Sequence, residues 1–198
     1  MAHKYIVLDL ETLGTEPGCP ILSIGACAFE LDVPANWRFF YKKLNLEYQP
    51  TDKISVDTLK WWMEQGRAAQ AAAWIESEDA ETIYASLQIF SIWIDNLKKE
   101  AGKDGISIWG NSSSFDNEVL RAAYKYVGIE APWNFREDRD FRTLRELYKE
   151  KVPEPTFIGL RHHAKDDATH EAGWLKLILQ HMQTADAALA ASAPTGQS

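Results

Sequence analysis

The chain opens with a run of apolar residues at positions 5–8, and this run leads directly into Asp9, Leu10 and Glu11. Runs rich in β-branched and aromatic residues predict a strand. Because side chains alternate across a strand, residues 6, 8 and 10 share one apolar face, while Asp9 and Glu11 share the other with Val7. A strand that is apolar on both faces is a central strand, buried on both sides. The pattern therefore puts two carboxylates on one face at the end of a buried strand.

Two more strands are predicted from the apolar segments that follow. Residues 12–18 form a turn rich in Gly and Pro, and strands at residues 20–31 and 37–46 are separated by a break at residues 33–36. Three consecutive strands joined by short turns form an antiparallel meander.

Helical periodicity dominates the rest of the chain. Apolar residues recur at helical spacing, for example at Ile83, Leu87, Phe90 and Ile94, which is typical of amphipathic helices. The predicted helices cover residues 55–65 with Ser55 as the cap, 68–75, 79–100, 114–127, 141–149 and 167–182, and a fourth strand covers residues 106–109. Strands followed by helices that alternate with a strand predict an α/β fold, with a mixed sheet and helices packed on it.

The domain organisation is simple. A chain of 198 residues fits one domain, which we assign to residues 1–183. Residues 184–198 are dominated by Ala, Ser, Pro, Thr and Gly, and we expect them to form a flexible C-terminal tail.

Composition narrows the function classes. No apolar run approaches the roughly 20 residues needed to span a bilayer, so no membrane partner is expected. The first strand begins too early for a signal peptide, and two cysteines cannot make a disulfide framework, so a reduced cytoplasmic protein is expected. The net charge of −8 argues against electrostatic coating of nucleic acid. It does not exclude an enzyme that holds a nucleic-acid end through metal ions.

The paired carboxylates Asp9 and Glu11 need a partner if they are buried, and a divalent cation is the simplest one. Two further acids follow: Asp116 comes after a strand and a polar turn, and Asp167 enters the last helix. Each acid has an ordinary alternative explanation, because carboxylates at helix N-termini are stabilised by the helix dipole. The combination of all four carries more weight than any one of them.

The order of these motifs resembles the DEDDh family of 3′–5′ exonucleases, the DnaQ-like group. The first motif is Asp9-Leu-Glu11-Thr12-Leu13-Gly14, the second is Asn111 followed by Phe115-Asp116, and the third runs from His162 to Asp167-Ala168. Each motif is weak alone, but the three in order are specific. The resemblance implies an RNase H-like three-layer fold, in which the mixed central sheet contains the meander and further parallel strands.

The resemblance also implies a mechanism. Asp9, Glu11, Asp116 and Asp167 would hold two divalent ions, Mg²⁺ or Mn²⁺, with Asp9 bridging them. His162 would act as general base on the attacking water. The enzyme would hydrolyse the 3′-terminal phosphodiester of single-stranded DNA or RNA and release nucleoside 5′-monophosphates.

The register of the last motif leaves an alternative. His162 and Asp167 match the family motif, because Asp167-Ala168 fits its closing Asp-Ala. His163 and Asp166 are the fallback pair, since His163 precedes Asp167 by four residues.

Substrate contacts are expected from four residues. The resemblance implies that Thr12 and Leu13 touch the terminal nucleotide, with Leu13 against the base. Trp61 or Trp62 would offer a stacking platform, and we assign Trp62. Adjacent tryptophans on a helix face different ways, so at least one of them belongs to the core. Asn111 would bind sugar or phosphate, or cap the turn.

Two alternative functions remain open from the sequence. One is an oligoribonuclease that finishes very short RNA, and the other is a non-catalytic scaffold that binds nucleic acid or protein. The complete set of four acids and a histidine favours the enzyme. The choice between DNA and RNA depends on how the pocket treats one 2′-hydroxyl. Exposed tryptophans and helix faces allow a homodimer, and the resemblance implies one.

Overall fold

The computed structural model describes residues 3–34, 36–74 and 80–192. Five strands form one sheet in the order β3-β2-β1-β4-β5. The strands are β1 (Lys4–Thr12), β2 (Ile21–Phe29), β3 (Arg38–Lys43), β4 (Ile106–Gly110) and β5 (Asp138–Asp140). β1, β2 and β3 pair antiparallel, whereas β4 pairs parallel to β1 and β5 pairs parallel to β4. The predicted meander and the mixed sheet are confirmed.

Helices cover both faces of this sheet. The α-helices are α1 (Val56–Glu64), α2 (Arg67–Trp74), α3 (Ile83–Ala101), α4 (Glu118–Val127), α5 (Phe141–Tyr148) and α6 (Ala164–Ser192). Apolar residues of α3 and α4 pack with Ile6, Leu8 and Leu10 of β1 on one face. Apolar residues of α5 and α6 pack with Val7 on the other face. β1 is thus the buried central strand that its sequence predicts, and its acidic end lies on the α6 face.

Side-chain caps begin α1 and α5, and the cap at Ser55 is the one that the sequence predicts. The Ser55 side chain accepts a hydrogen bond from the Thr58 N–H at the start of α1. The Asp140 carboxylate accepts one from the Thr143 N–H at the start of α5. Such caps satisfy N–H groups that have no partner within the helix.

A missed strand and one helix start differ from the predictions. β5 is a three-residue strand where a loop is predicted, because its sequence is Asp-Arg-Asp and carries no apolar pattern. The helix predicted from residue 79 begins at Ile83, since Thr82 caps it through the Ala85 N–H; residue 79 itself lies outside the described residues. Residue 75, the predicted end of the second helix, also lies outside them.

The predicted flexible tail is corrected over most of its length. α6 starts at Ala164 and continues to Ser192, so residues 184–192 are helical rather than frayed. Alanine has the highest helix propensity, and the alanines of this segment extend a helix that is already nucleated by packing. Residues 193–198 lie outside the described residues. None of the described helices has the length and apolar character needed to cross a membrane.

Candidate active site

Asp9 and Glu11 emerge from β1 on the side that faces α6. Asp9 is half-buried, and Glu11 is buried, with 8% of its surface exposed. Val7 precedes them on the same face and packs in the core under α6. The alternation of β1 therefore delivers two carboxylates into one crowded region, where water is partly excluded.

Two glycines allow the other acids to approach β1. Gly25 pairs with Asp9 across the sheet, and a Cβ on it would lie 2.1 Å from the carbonyl carbon of Ala164, the first residue of α6. Gly110 ends β4, and a Cβ there would lie 2.9 Å from the Cβ of Asp116. Because neither position has room for a side chain, α6 and the Asp116 turn lie directly against the sheet.

Asp116 lies in a π-helical turn, Ser113–Asn117, that joins β4 to α4. It is buried, and its carboxylate accepts a hydrogen bond of 3.2 Å from the Ser112 N–H. Burial raises the pKa of Asp116 to about 7, although nearby backbone N–H groups, beginning with that of Ser112, oppose the shift. Asp140, the last residue of β5, also fixes this turn. One of its carboxylate oxygens accepts a hydrogen bond of 2.8 Å from the Ser113 N–H, while the other caps α5.

The carboxylates repel one another strongly. Burial first, and then the charge of Glu11, followed by those of other nearby acids that include Asp116 and Asp167, raise the pKa of Asp9 well above its ordinary value. Burial, then Asp167 and Asp116, raise the pKa of Glu11 to about 8. Raised pKa values among clustered acids are the pattern expected of a site that binds a cation, because only a positive charge relieves both the repulsion and the lost hydration.

His162 and Asp167 complete this group at the start of α6. Single ligand atoms of Glu11, His162 and Asp167 all lie within 4.8 Å of one another. His162 precedes the helix with a φ of 63°, a left-handed conformation that is uncommon for a residue with a side chain. Its ring meets the edge of Trp61, with centroids 4.8 Å apart. The structure thus brings His162 to the acids on a tight turn and supports it with an aromatic ring.

The fallback pair has a different place. The His163 ring lies 4.4 Å from the Tyr41 ring. The backbone N–H of His163 donates to the Asp167 carboxylate at 3.1 Å. Asp166 accepts a hydrogen bond of 2.9 Å from the Leu160 N–H and so shapes the preceding loop. The contacts of these two residues are those of groups that hold the turn.

One acid near the site was not expected from the sequence. Glu171 lies four residues after Asp167, one turn further along α6, and is 8% exposed. It is among the acids that raise the pKa of Asp9. Helical spacing was the available signal, because residues four apart share a face, but an acid inside a helix is usually solvated.

A cavity of about 240 Å³ connects these groups. Asp9, Glu11, His162, Asp167 and Glu171 contribute to its wall. Asn111 and the cations Arg145 and Arg161 also line it. Arg145 was not predicted as a site residue either.

A second cavity of about 490 Å³ adjoins the first at Glu11. Thr12, Ser55, Thr58 and Trp61 lie in its wall. The lining of this cavity is predominantly apolar. It includes the ring of Trp61, which is 41% exposed. The shape and chemistry suit a nucleoside next to a phosphate.

Burial disfavours two of the predicted substrate contacts, although Trp62 still lies in the wall of the larger cavity. Leu13 is 3% exposed and packs in a core cluster with Leu22, Trp62 and Ala73, so its side chain is not presented to a base. Trp62 is 1% exposed, and its indole N–H donates to the Thr12 carbonyl at 2.9 Å. Trp62 therefore supports the strand end, and Trp61 is the exposed ring.

Comparison with known proteins identifies the family of the chain and its fold. A family model for the 3′–5′ exoribonuclease Rv2179c-like domain matches residues 4–179. The chain belongs to this family. This membership confirms the prediction that the chain is of the 3′–5′ exonuclease class. No curated protein matches the sequence closely enough to count as a relative.

Solved structures of nucleases share the fold of this Rv2179c-like domain. The nuclease domain of 3′hExo, described as a DEDDh family member bound to rAMP, is 15% identical with a TM-score of 0.57; the match covers 91% of this chain and 93% of that one. Cell-death related nuclease 4 is 15% identical with a TM-score of 0.55, over 90% and 64% of the two chains. The zinc-bound complex of E. coli ExoI with single-stranded DNA is 18% identical with a TM-score of 0.54, over 90% and 41%.

At these identities the likeness shows the RNase H-like fold alone. The chain spans 64% of cell-death related nuclease 4 and 41% of ExoI, so those proteins contain further sequence that has no counterpart in this match. The predicted three-layer RNase H-like fold is confirmed.

Proposed function

We propose that this protein is a metal-dependent 3′–5′ exonuclease that removes nucleoside 5′-monophosphates one at a time from the 3′ end of single-stranded RNA. The observation that carries the proposal is the convergence of Asp9, Glu11, Asp167 and His162 around one cavity. The buried Asp116 carboxylate is close enough for its charge to act on Asp9. The preference for RNA over DNA is supported by the description of the family to which the chain belongs.

The donor set fits hard divalent cations. Carboxylate oxygens are the ligands that Mg²⁺ and Mn²⁺ prefer. Among the described residues, the group that could hold an ion contains two carboxylates and a histidine and no cysteine, which disfavours softer metals. The raised pKa values of Asp9 and Glu11 show that these carboxylates lack compensating positive charge. Two bound ions would stabilise the negative charge that develops on the scissile phosphate and would favour ionisation of an attacking water.

The residues of the chain have separable tasks in this reaction. His162 would accept the proton of the attacking water at an imidazole nitrogen, because it lies next to Glu11 and Asp167 at the cavity wall. Trp61 would hold the His162 ring in place through their edge contact. Asn111, which lines the same cavity, would donate to the sugar or the phosphate.

The terminal nucleoside would occupy the larger cavity. Thr12 lies in its wall next to Glu11, and Trp61 offers an exposed aromatic face for a base. Stacking accepts any base, as an exonuclease requires. Arg145 and Arg161 at the smaller cavity would attract the phosphates of the strand toward an otherwise acidic site.

The direct test is cleavage of matched RNA and DNA strands that carry a label at the 5′ end, in the presence of Mn²⁺. A ladder that shortens by single nucleotides from the 3′ end of RNA supports the proposal, and Asp116→Asn is expected to abolish it. Faster cleavage of DNA would overturn the RNA preference alone. An unchanged strand at high protein concentration, with binding retained, would indicate a non-catalytic scaffold. A dinucleotide cleaved faster than longer RNA would indicate an oligoribonuclease.

A further inference from the structure

Glu171 is a buried polar side chain of the site that the proposed mechanism does not use. It is more than nine-tenths buried, and it lines the same cavity as Asp9 and Asp167. Among the described residues, no group forms a hydrogen bond with its Oε2 atom, which is also shielded from solvent. An unsatisfied carboxylate oxygen in this setting costs free energy, so its presence needs a compensating ligand.

The nearby arginines do not supply that ligand. Arg145 lines the cavity, and together with Arg142 it opposes the rise in the pKa of Glu171. The Arg145 guanidinium lies over the rings of Phe141 and Trp174, at 5.9 Å and 5.7 Å from their centroids. Its position is thus fixed by aromatic packing. In the part of the chain that the structure describes, Oε2 still accepts no hydrogen bond.

The neighbours of Glu171 define which part of the site it faces. Glu11, His162 and Asp167 have ligand atoms close enough to form one potential cation site. After burial, the groups that raise the pKa of Glu171 are Asp116 and Asp167. Glu171 also raises the pKa of Asp9. Its carboxylate therefore adds an oxygen donor to the acids that meet at this cavity.

We propose that Glu171 is a fifth carboxylate of the metal centre, beside Asp9 and Asp167 at the same cavity. This inference rests on the proposed function, because it requires the same pair of divalent ions. The open Oε2 atom of Glu171 would help to hold one of these ions, either as a direct ligand or through a bound water.

The test is a Mn²⁺ titration of the full chain, followed by calorimetry and by the electron paramagnetic resonance signal of free Mn²⁺. The variant is Glu171→Gln, which keeps the shape and removes the charge. The matched control is Glu154→Gln, because Glu154 lines the same cavity but is exposed and already contacts His170 at 2.9 Å.

We expect the native chain and Glu154→Gln to bind two Mn²⁺ ions with the same affinities. In Glu171→Gln one ion should bind about 10- to 100-fold more weakly, the range seen when outer carboxylates of metal sites are removed. Thermal unfolding in EDTA provides the folding control, and Glu171→Gln should be at least as stable as the native chain. If Glu171→Gln binds Mn²⁺ with native stoichiometry and affinity, the inference is overturned.

The outcome separates this inference from the proposed function. If Glu171→Gln loses one ion and the native chain cleaves no nucleic acid, the metal role of Glu171 stands and the proposed nuclease function is refuted. If Glu171→Gln binds ions as the native chain does, and the native chain degrades RNA, only the role of Glu171 is refuted.

Discussion

The clustered acids predict that the metal-free protein loses stability as the pH rises. The pKa of Glu11 is about 8 in the folded chain, against an ordinary value of 4.5. Between these two values the folded state binds more protons than the unfolded state, so the free energy of unfolding falls with increasing pH. This is the opposite of the trend produced by paired surface acids, whose folded pKa values are lowered.

The magnitude follows from Glu11 alone. Taking its two pKa values, a rise from about pH 5.5 to about pH 8 costs about 3 kcal/mol of unfolding free energy. Burial raises the pKa of Asp116 to about 7. Because the charge of Asp116 is itself one of the causes that raise the pKa of Glu11, we do not add a separate contribution from it. For a chain of this length, a loss of about 3 kcal/mol lowers the melting temperature by roughly 6–12 °C.

Thermal unfolding in EDTA at the two pH values measures this effect. Added Mn²⁺ should restore most of the loss at about pH 8, because an ion at 100 times its dissociation constant adds about 2.7 kcal/mol. Glu11→Gln should flatten the pH dependence. Glu64→Gln is the matched control, because Glu64 is exposed on α1 and should leave the slope unchanged. A melting temperature that stays constant or rises with pH in EDTA would refute the reasoning about the acid cluster.

Three other changes test the site. His162→Ala should lower kcat by about 100-fold or more through loss of the general base, whereas His163→Ala should keep most activity; the reverse result would reassign the base. Trp61→Ala should raise KM by about tenfold, in line with ~1–3 kcal/mol of base stacking, and Trp61→Phe should recover most of it in the same RNA assay. Gly25→Ala should destabilise the fold by about 3 kcal/mol or more because its Cβ would overlap Ala164, and Gly66→Ala, with open space around it, should have little effect in chemical denaturation.

The order of strands and helices was readable because local patterns decide it. Alternation along β1 and helical spacing along α3 are properties of short segments, and the structure agrees with both. β5 was missed because three polar residues carry no pattern, and they form a strand only where β4 offers an edge. The helical start of the predicted tail was missed because composition was taken as evidence of disorder, although alanine also favours extension of an existing helix.

The substrate contacts show where local reasoning ends. Thr12 and Asn111 line the cavities as expected. For Trp61 and Trp62, the sequence indicates that adjacent helical residues face different ways, but it does not say which ring is buried. That choice depends on the packing of α1 against the end of β1, where the Trp62 N–H reaches the Thr12 carbonyl.

By itself, the sequence determined the class of fold and the 3′–5′ exonuclease family, and it singled out four acids and a histidine as the proposed site. It could do so because each motif lies within a few residues of a strand end or a helix start. Only the tertiary structure decided that Glu171 joins those acids, that Leu13 and Trp62 are core residues, and that His162 rather than His163 faces Glu11. The physical reason is that burial and charge repulsion are sums over residues far apart in the chain. The burial and the charge repulsion arise only in the folded chain, where Gly25 and Gly110 allow α6 and the Asp116 turn to lie against the sheet.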